Sequence, residues 1–140
     1  MPASMGFEIA VPLAFAAAKE SARDALKTEG FGIVTEIDLQ AAFKEKLGRD
    51  FRPYIILGAC NPPLAFAAVT ADPAIGLLLP CNVTVEAIDA THSMVRLVDP
   101  PAMLASASGG SAPELQKVTD DASDRMGRVL LALPGLGQAR

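Results

Sequence analysis

The segment Tyr54-Ile55-Ile56-Leu57 runs through Gly58-Ala59-Cys60 straight into Asn61-Pro62, and this junction limits the fold more than any other part of the chain. A short, almost continuously apolar run reads as a strand inside a sheet rather than at its edge. Asn is a favoured helix N-cap and Pro is tolerated at the first helical position. A central strand therefore feeds directly into a helix, which runs through Leu64, Ala65, Ala68 and Val69 until Asp72-Pro73 ends it.

The segments on either side keep changing their hydrophobic period. Phe7-Glu8-Ile9-Ala10-Val11 alternates as a strand and closes at Pro12. Phe15, Ala18, Ala22, Ala25 and Leu26 then recur at helical spacing, with Lys19, Glu20, Arg23, Asp24 and Lys27 on the other side and Gly30 as the stop. Phe31 to Ile37 reads as the second strand, with Ile33, Thr35 and Ile37 expected on one face. Asp38 caps a short helix with the stripe Leu39, Ala42, Phe43 and Leu47, ended by Gly48. Val83–Ile88 and Ser93–Val98 form a hairpin through Asp89-Ala90-Thr91-His92, with Glu86 and Arg96 as cross-strand partners, and Pro100-Pro101 breaks its second strand. The last helix opens at Ser111-Ala112-Pro113-Glu114, which has capping-box spacing. It carries Leu115, Val118, Ala122, Met126, Val129 and Leu133, and Pro134-Gly135 stops it.

The resulting order, β-α-β-α-β-α-β-β-α, predicts an α+β domain: a mixed or antiparallel sheet with helices packed on one side. A doubly wound α/β fold is the alternative, disfavoured by the late hairpin and by the lack of a Gly-rich turn between a strand and a helix. At 140 residues, half of them hydrophobic, the chain is one domain with a sizeable core. Its core is expected over residues 6–133, with a flexible connection at 105–110 and a short tail at 134–140. No internal repeat is visible.

Charge and hydropathy exclude some functions. The net charge is −4 and no Lys/Arg cluster occurs, which argues against a nucleic-acid binder. No apolar run approaches the roughly 18 residues of a membrane span. The apolar stretch from Phe7 to Ala18 has no Lys or Arg before it and is interrupted by Glu8 and Pro12, so it does not read as a signal peptide. A cytoplasmic location is expected, although two cysteines do not decide the compartment.

The only two cysteines each precede an asparagine, in Cys60-Asn61-Pro62 and in Pro80-Cys81-Asn82. A thiol beside a helix start can be activated by the unpaired amides there. Equally, Cys60 suits a small buried hydrophobe at the end of a central strand. Cys81 alone reads as packing. As a pair facing one pocket, the two thiols could form a reversible disulfide, relay a persulfide or offer soft ligands to a metal. Their spacing is not a standard zinc pattern, so no metal site is assigned. His92 reads as a solvated turn residue, and Gly109-Gly110 as linker.

Three stretches taken together resemble the DUF302 family: Gly30-Phe31-Gly32 with Glu36-Ile37-Asp38, Tyr54 through Pro62, and Gly76 through Val83. The resemblance spans about residues 6 to 133. It implies a compact α+β domain of the TATA-box-binding-protein-like topology class, found in family members as a homodimer, and it assigns no reaction. Pro63 departs from the more polar residue expected there.

Three functional expectations follow. The preferred one is a homodimeric ligand-binding or regulatory module, not an enzyme, with a pocket near the two motifs and Cys60, Asn61, Cys81 and Asn82 as its site residues. The first alternative is thiol-dependent sulfur or redox handling through Cys60 and Cys81. The second is a haem- or metal-binding protein limited to Cys60, Cys81, His92 and Met94 as ligands. A purely structural role for both motifs is the remaining possibility. The sequence names no cofactor, and neither a membrane nor a nucleic acid is an expected partner.

Overall fold

The computed structural model describes residues 2–3, 5–104 and 113–135. The strands are β1 (Pro2–Ala3), β2 (Gly6–Val11), β3 (Gly32–Asp38), β4 (Tyr54–Cys60), β5 (Cys81–Ala87) and β6 (Ser93–Val98). The helices are α1 (Phe15–Thr28), α2 (Leu39–Leu47), α3 (Pro62–Ala71), α4 (Pro100–Leu104) and α5 (Pro113–Ala132), and a 3-10 turn spans Pro73–Leu78. The sheet order is β1-β2-β6-β5-β4-β3, and every pairing is antiparallel. The α+β expectation holds, and the central place of β4 with it. Two-residue β1, the 3-10 turn and α4 have no counterpart in the sequence reading. The expected connection at 105–110, Gly109-Gly110, the Ser111 cap and the tail beyond Gly135 lie outside the described residues.

Alternation along the strands separates two sheet faces. Val11, Ile55, Leu57, Val83, Val85, Val95 and Leu97 point to one face, where they form a single buried core with Ala18, Ala22 and Leu26 of α1 and with Met126 and Val129 of α5. The small side chains of α1 let it lie close against the sheet. A second, smaller cluster of Ala68, Ile75 and Leu115 joins α3, the 3-10 turn and α5. Met103 of α4 packs against both clusters.

The other face is laced by charge. Arg96 donates to Glu8 at 3.0 Å and to Glu86 at 2.6 Å, tying β2, β6 and β5 together, and Arg52 donates to the same Glu86. Glu86 and Arg96 are therefore partners, but on the diagonal: Arg96 stands opposite Thr84, and Glu86 opposite Met94. Burial pushes the Glu86 carboxyl up, yet the hydrogen bonds from Arg96 and Arg52 outweigh it and hold that carboxyl below its ordinary range.

Two local expectations need correction. Ile33, Thr35 and Ile37 do not share a face, because the β3–β4 register shifts between Ile33 and Thr35. Ile33 stands opposite Ala59 and packs on the core, whereas Thr35 and Ile37 stand opposite Gly58 and Ile56 on the other face. A bulge inserts one residue and so reverses the alternation beyond it. The stripe of α2 is also not a core stripe: none of its residues is buried, and Leu47 is exposed. The cap itself is as expected, since Asp38 accepts from the Ala41 amide at 2.9 Å. Gly48 ends α2 in the left-handed conformation that glycine adopts without steric cost.

Candidate functional site

Both cysteine motifs meet at one end of the β4–β5 pair. In that pairing Ala59 stands opposite Cys81, so Cys60, the last residue of β4, lies one register step past the first residue of β5. Asn61 follows Cys60 and caps α3: its Oδ1 accepts from the Leu64 amide at 3.3 Å, while its Nδ2 donates to the Glu29 carbonyl at 3.2 Å. Arg125 of α5 donates to the same carbonyl at 3.0 Å. One buried side chain thus ties the start of α3 to the end of α1, and Arg125 adds α5 to the junction.

A cavity of about 210 Å³ opens beside this junction. The ends of β4 and β5 form one wall, with Ala59, Cys60 and Cys81. Leu64, Ala65 and Ala68 of α3 form another; Ile75, Leu79 and Pro80 close one side, and Pro100, Met103, Val118, Thr119 and Ala122 the far side. Phe31 and the bulge residue Val34 complete it. No carboxylate, imidazole, amine or guanidinium lines it. Its two oxygen-bearing side chains are already engaged, Asn61 as described and Thr119 through its hydroxyl, which donates to the Leu115 carbonyl at 2.8 Å. The sulfur atoms of Cys60, Cys81 and Met103 are the polarisable groups among its lining residues.

The two thiols differ. Cys81 is buried, and desolvation, helped by the nearby Cys60, pushes its pKa up to about 11. It is a neutral thiol at physiological pH. Cys60 is half-buried, and both cysteines are free.

The remaining site residues predicted from sequence go elsewhere. Asn82 is exposed and stands opposite Gly58, so alternation places it on the sheet face away from the helices. His92 lies in the hairpin turn with Asp89 and Thr91, beyond the opposite end of β5 and roughly 20 Å along the strand from Cys81. Met94 is the second residue of β6, beside the hairpin turn, opposite Glu86 and Ala10. Neither joins the cysteines. Met103 lines the same cavity from its far side, and sequence reasoning missed it because Pro100-Pro101 read as a strand terminator rather than as the first turn of a helix. Among the described residues, no group of three or more His, Cys, Asp and Glu side chains is arranged to hold a metal ion, and no helix is long and apolar enough to cross a membrane.

A family model described as "Domain of unknown function DUF302" matches residues 7–133. The chain belongs to the DUF302 family. A crystal structure of an uncharacterized conserved DUF302 protein from Bacillus stearothermophilus superposes with a TM-score of 0.81 at 25% identity, over 94% of this chain and 99% of that one. No curated protein matches the sequence. Family membership thus accounts for the architecture of this DUF302 protein and leaves its cavity without an assigned ligand.

Proposed function

We propose that this DUF302 protein is a cytoplasmic, non-enzymatic binding module, working as a homodimer, whose ligand occupies the cavity at the Cys60 and Cys81 motifs. One observation carries the reading: about 210 Å³ of apolar space faces no ionisable group apart from two thiols. Apolar cavities of about 150 Å³ bind benzene-sized molecules, so this one has room for a small aromatic or aliphatic ligand. A catalytic reading fares worse, because no general base or orienting group accompanies Cys60 among the lining residues. The homodimer is supported by edge strand β3, whose outer side pairs with no other strand among the described residues and where Val34 and Ile37 are exposed.

Benzene and indole, added to saturation during thermal unfolding, test the cavity. A ligand that binds only the folded state raises the melting temperature. Wild type is expected to gain several degrees and Ala65→Phe, which fills the chamber, to gain none. No shift in wild type, or the same shift in both proteins, overturns the cavity reading. Sedimentation at micromolar concentration tests the dimer, and a monomer there removes it.

A further inference from the structure

The cavity offers a ligand little besides shape and polarisability. Asn61 and Thr119 have their hydrogen bonds within the protein, and no carboxylate, amine, guanidinium or imidazole lines the walls. A charged ligand would lose its water there with no counter-charge in exchange, a cost that apolar burial does not recover. What sets the walls apart is sulfur. Of the five methionines and two cysteines of the chain, three line this one cavity: Cys60 and Cys81 at the strand ends, and Met103 on the far side. Phe31 adds an aromatic ring to the lining. We propose that the cavity selects an uncharged aromatic molecule of one or two rings over a saturated hydrocarbon of the same size. The proposal rests on the cavity being the ligand site and names the chemical class of the occupant.

An aromatic ring carries a negative face and a positive edge, which a saturated ring lacks. Sulfur is polarisable and makes favourable contacts with aromatic rings at about 5 Å, often at the ring edge, each worth about a two- to tenfold gain in affinity. Such contacts form one at a time, so the sulfurs have no need to converge on a point. Met103 stands across the chamber from the two cysteines, and a flat molecule between those walls has sulfur on two sides. Burial keeps the Cys81 thiol protonated, and its S–H is a weak donor suited to the electron-rich face of a ring. Phe31 contributes ring-on-ring attraction beyond area burial.

Size points to one or two rings. Ala59, Ala65, Ala68 and Ala122 contribute only methyl groups to the lining, and about 210 Å³ stays open between them and the sulfur-bearing residues. An apolar cavity of about 150 Å³ takes benzene, so a second fused ring fits here.

The test measures toluene and methylcyclohexane binding to the full-length protein by headspace gas chromatography. Their affinity ratio is compared with the same pair's partition from water into hexadecane, which removes plain hydrophobicity from the comparison. Wild type is expected to favour toluene roughly tenfold beyond the hexadecane reference. Met103→Leu, a volume-conserving change, should weaken toluene by about two- to tenfold and leave methylcyclohexane as it was. Cys60→Ala, on the opposite wall, should lower the ratio in the same direction. Benzoate at pH 7, which adds a carboxylate to the same ring, is expected not to bind. A wild-type ratio no higher than that of hexadecane, both variants weakening the two ligands alike, or benzoate bound as tightly as toluene overturns the proposal. If toluene and methylcyclohexane bind in the hexadecane ratio, the cavity reading stands and only the aromatic preference falls. If neither binds, both fall.

Discussion

Removing the amide of Asn61 should loosen the junction of α1, α3 and α5 more than a surface change of the same size. In Asn61→Ala two bonds disappear: the cap to the Leu64 amide at 3.3 Å and the donation to the Glu29 carbonyl at 3.2 Å. Loss of an N-cap costs about 1 kcal/mol. A lost hydrogen bond costs about 0.5–1.5 kcal/mol, and the lower half applies here because Arg125 still donates to the Glu29 carbonyl. Together these give about 1.5–2 kcal/mol. For a domain of this size that corresponds to a fall of roughly 5–10 °C in melting temperature. Asn61→Ser separates the two terms, since a serine hydroxyl still caps the helix but does not reach back to Glu29. Differential scanning calorimetry should rank wild type above Asn61→Ser above Asn61→Ala, with the larger step between the two variants. If Asn61→Ser proves as unstable as Asn61→Ala, the cap contributes nothing. If Asn61→Ala melts within a degree of wild type, the reasoning about this junction is wrong.

Two further outcomes follow from charge and burial. The Glu86 carboxyl sits below its ordinary value of 4.5 because of Arg96 and Arg52, so its contribution is present above that pH and is lost as pH falls through the depressed value. Glu86→Gln should cost on the order of 1–3 kcal/mol at pH 7 and flatten the acid limb of a urea-unfolding series; an unchanged acid limb refutes the network. For Cys81 the sign reverses. Its raised pKa makes a contribution that is complete below the ordinary value of 9.0 and is lost as pH climbs towards about 11. Cys81→Ala should abolish that alkaline loss, and in wild type a thiol reagent at pH 7 should label Cys60 alone until denaturant is added. Two thiols reacting at equal rates in the native protein would show that Cys81 is not buried.

The one-dimensional pattern determined which segments become strands and helices, because period, cap and breaker are local properties of the chain. The alternation of Phe7–Val11, the small-residue face of α1, the Asp38 and Asn61 caps and the hairpin around Asp89–His92 all rest on neighbours a few residues apart. Local signals also located the Cys60-Asn61 junction at the end of an interior strand. Whether its motif came beside that of Cys81 was a matter of register, fixed by core side chains far apart in sequence packing onto one sheet face, and only the tertiary structure paired Ala59 with Cys81. Packing likewise carried Met103 to the cavity and sent Asn82, His92 and Met94 elsewhere. The bulge at Val34 reversed the face of half a strand, because an inserted residue changes which partner each side chain meets while leaving the sequence pattern intact. The cavity itself is a gap between two clusters of core residues, and such a gap exists only once helices and sheet have been placed against each other.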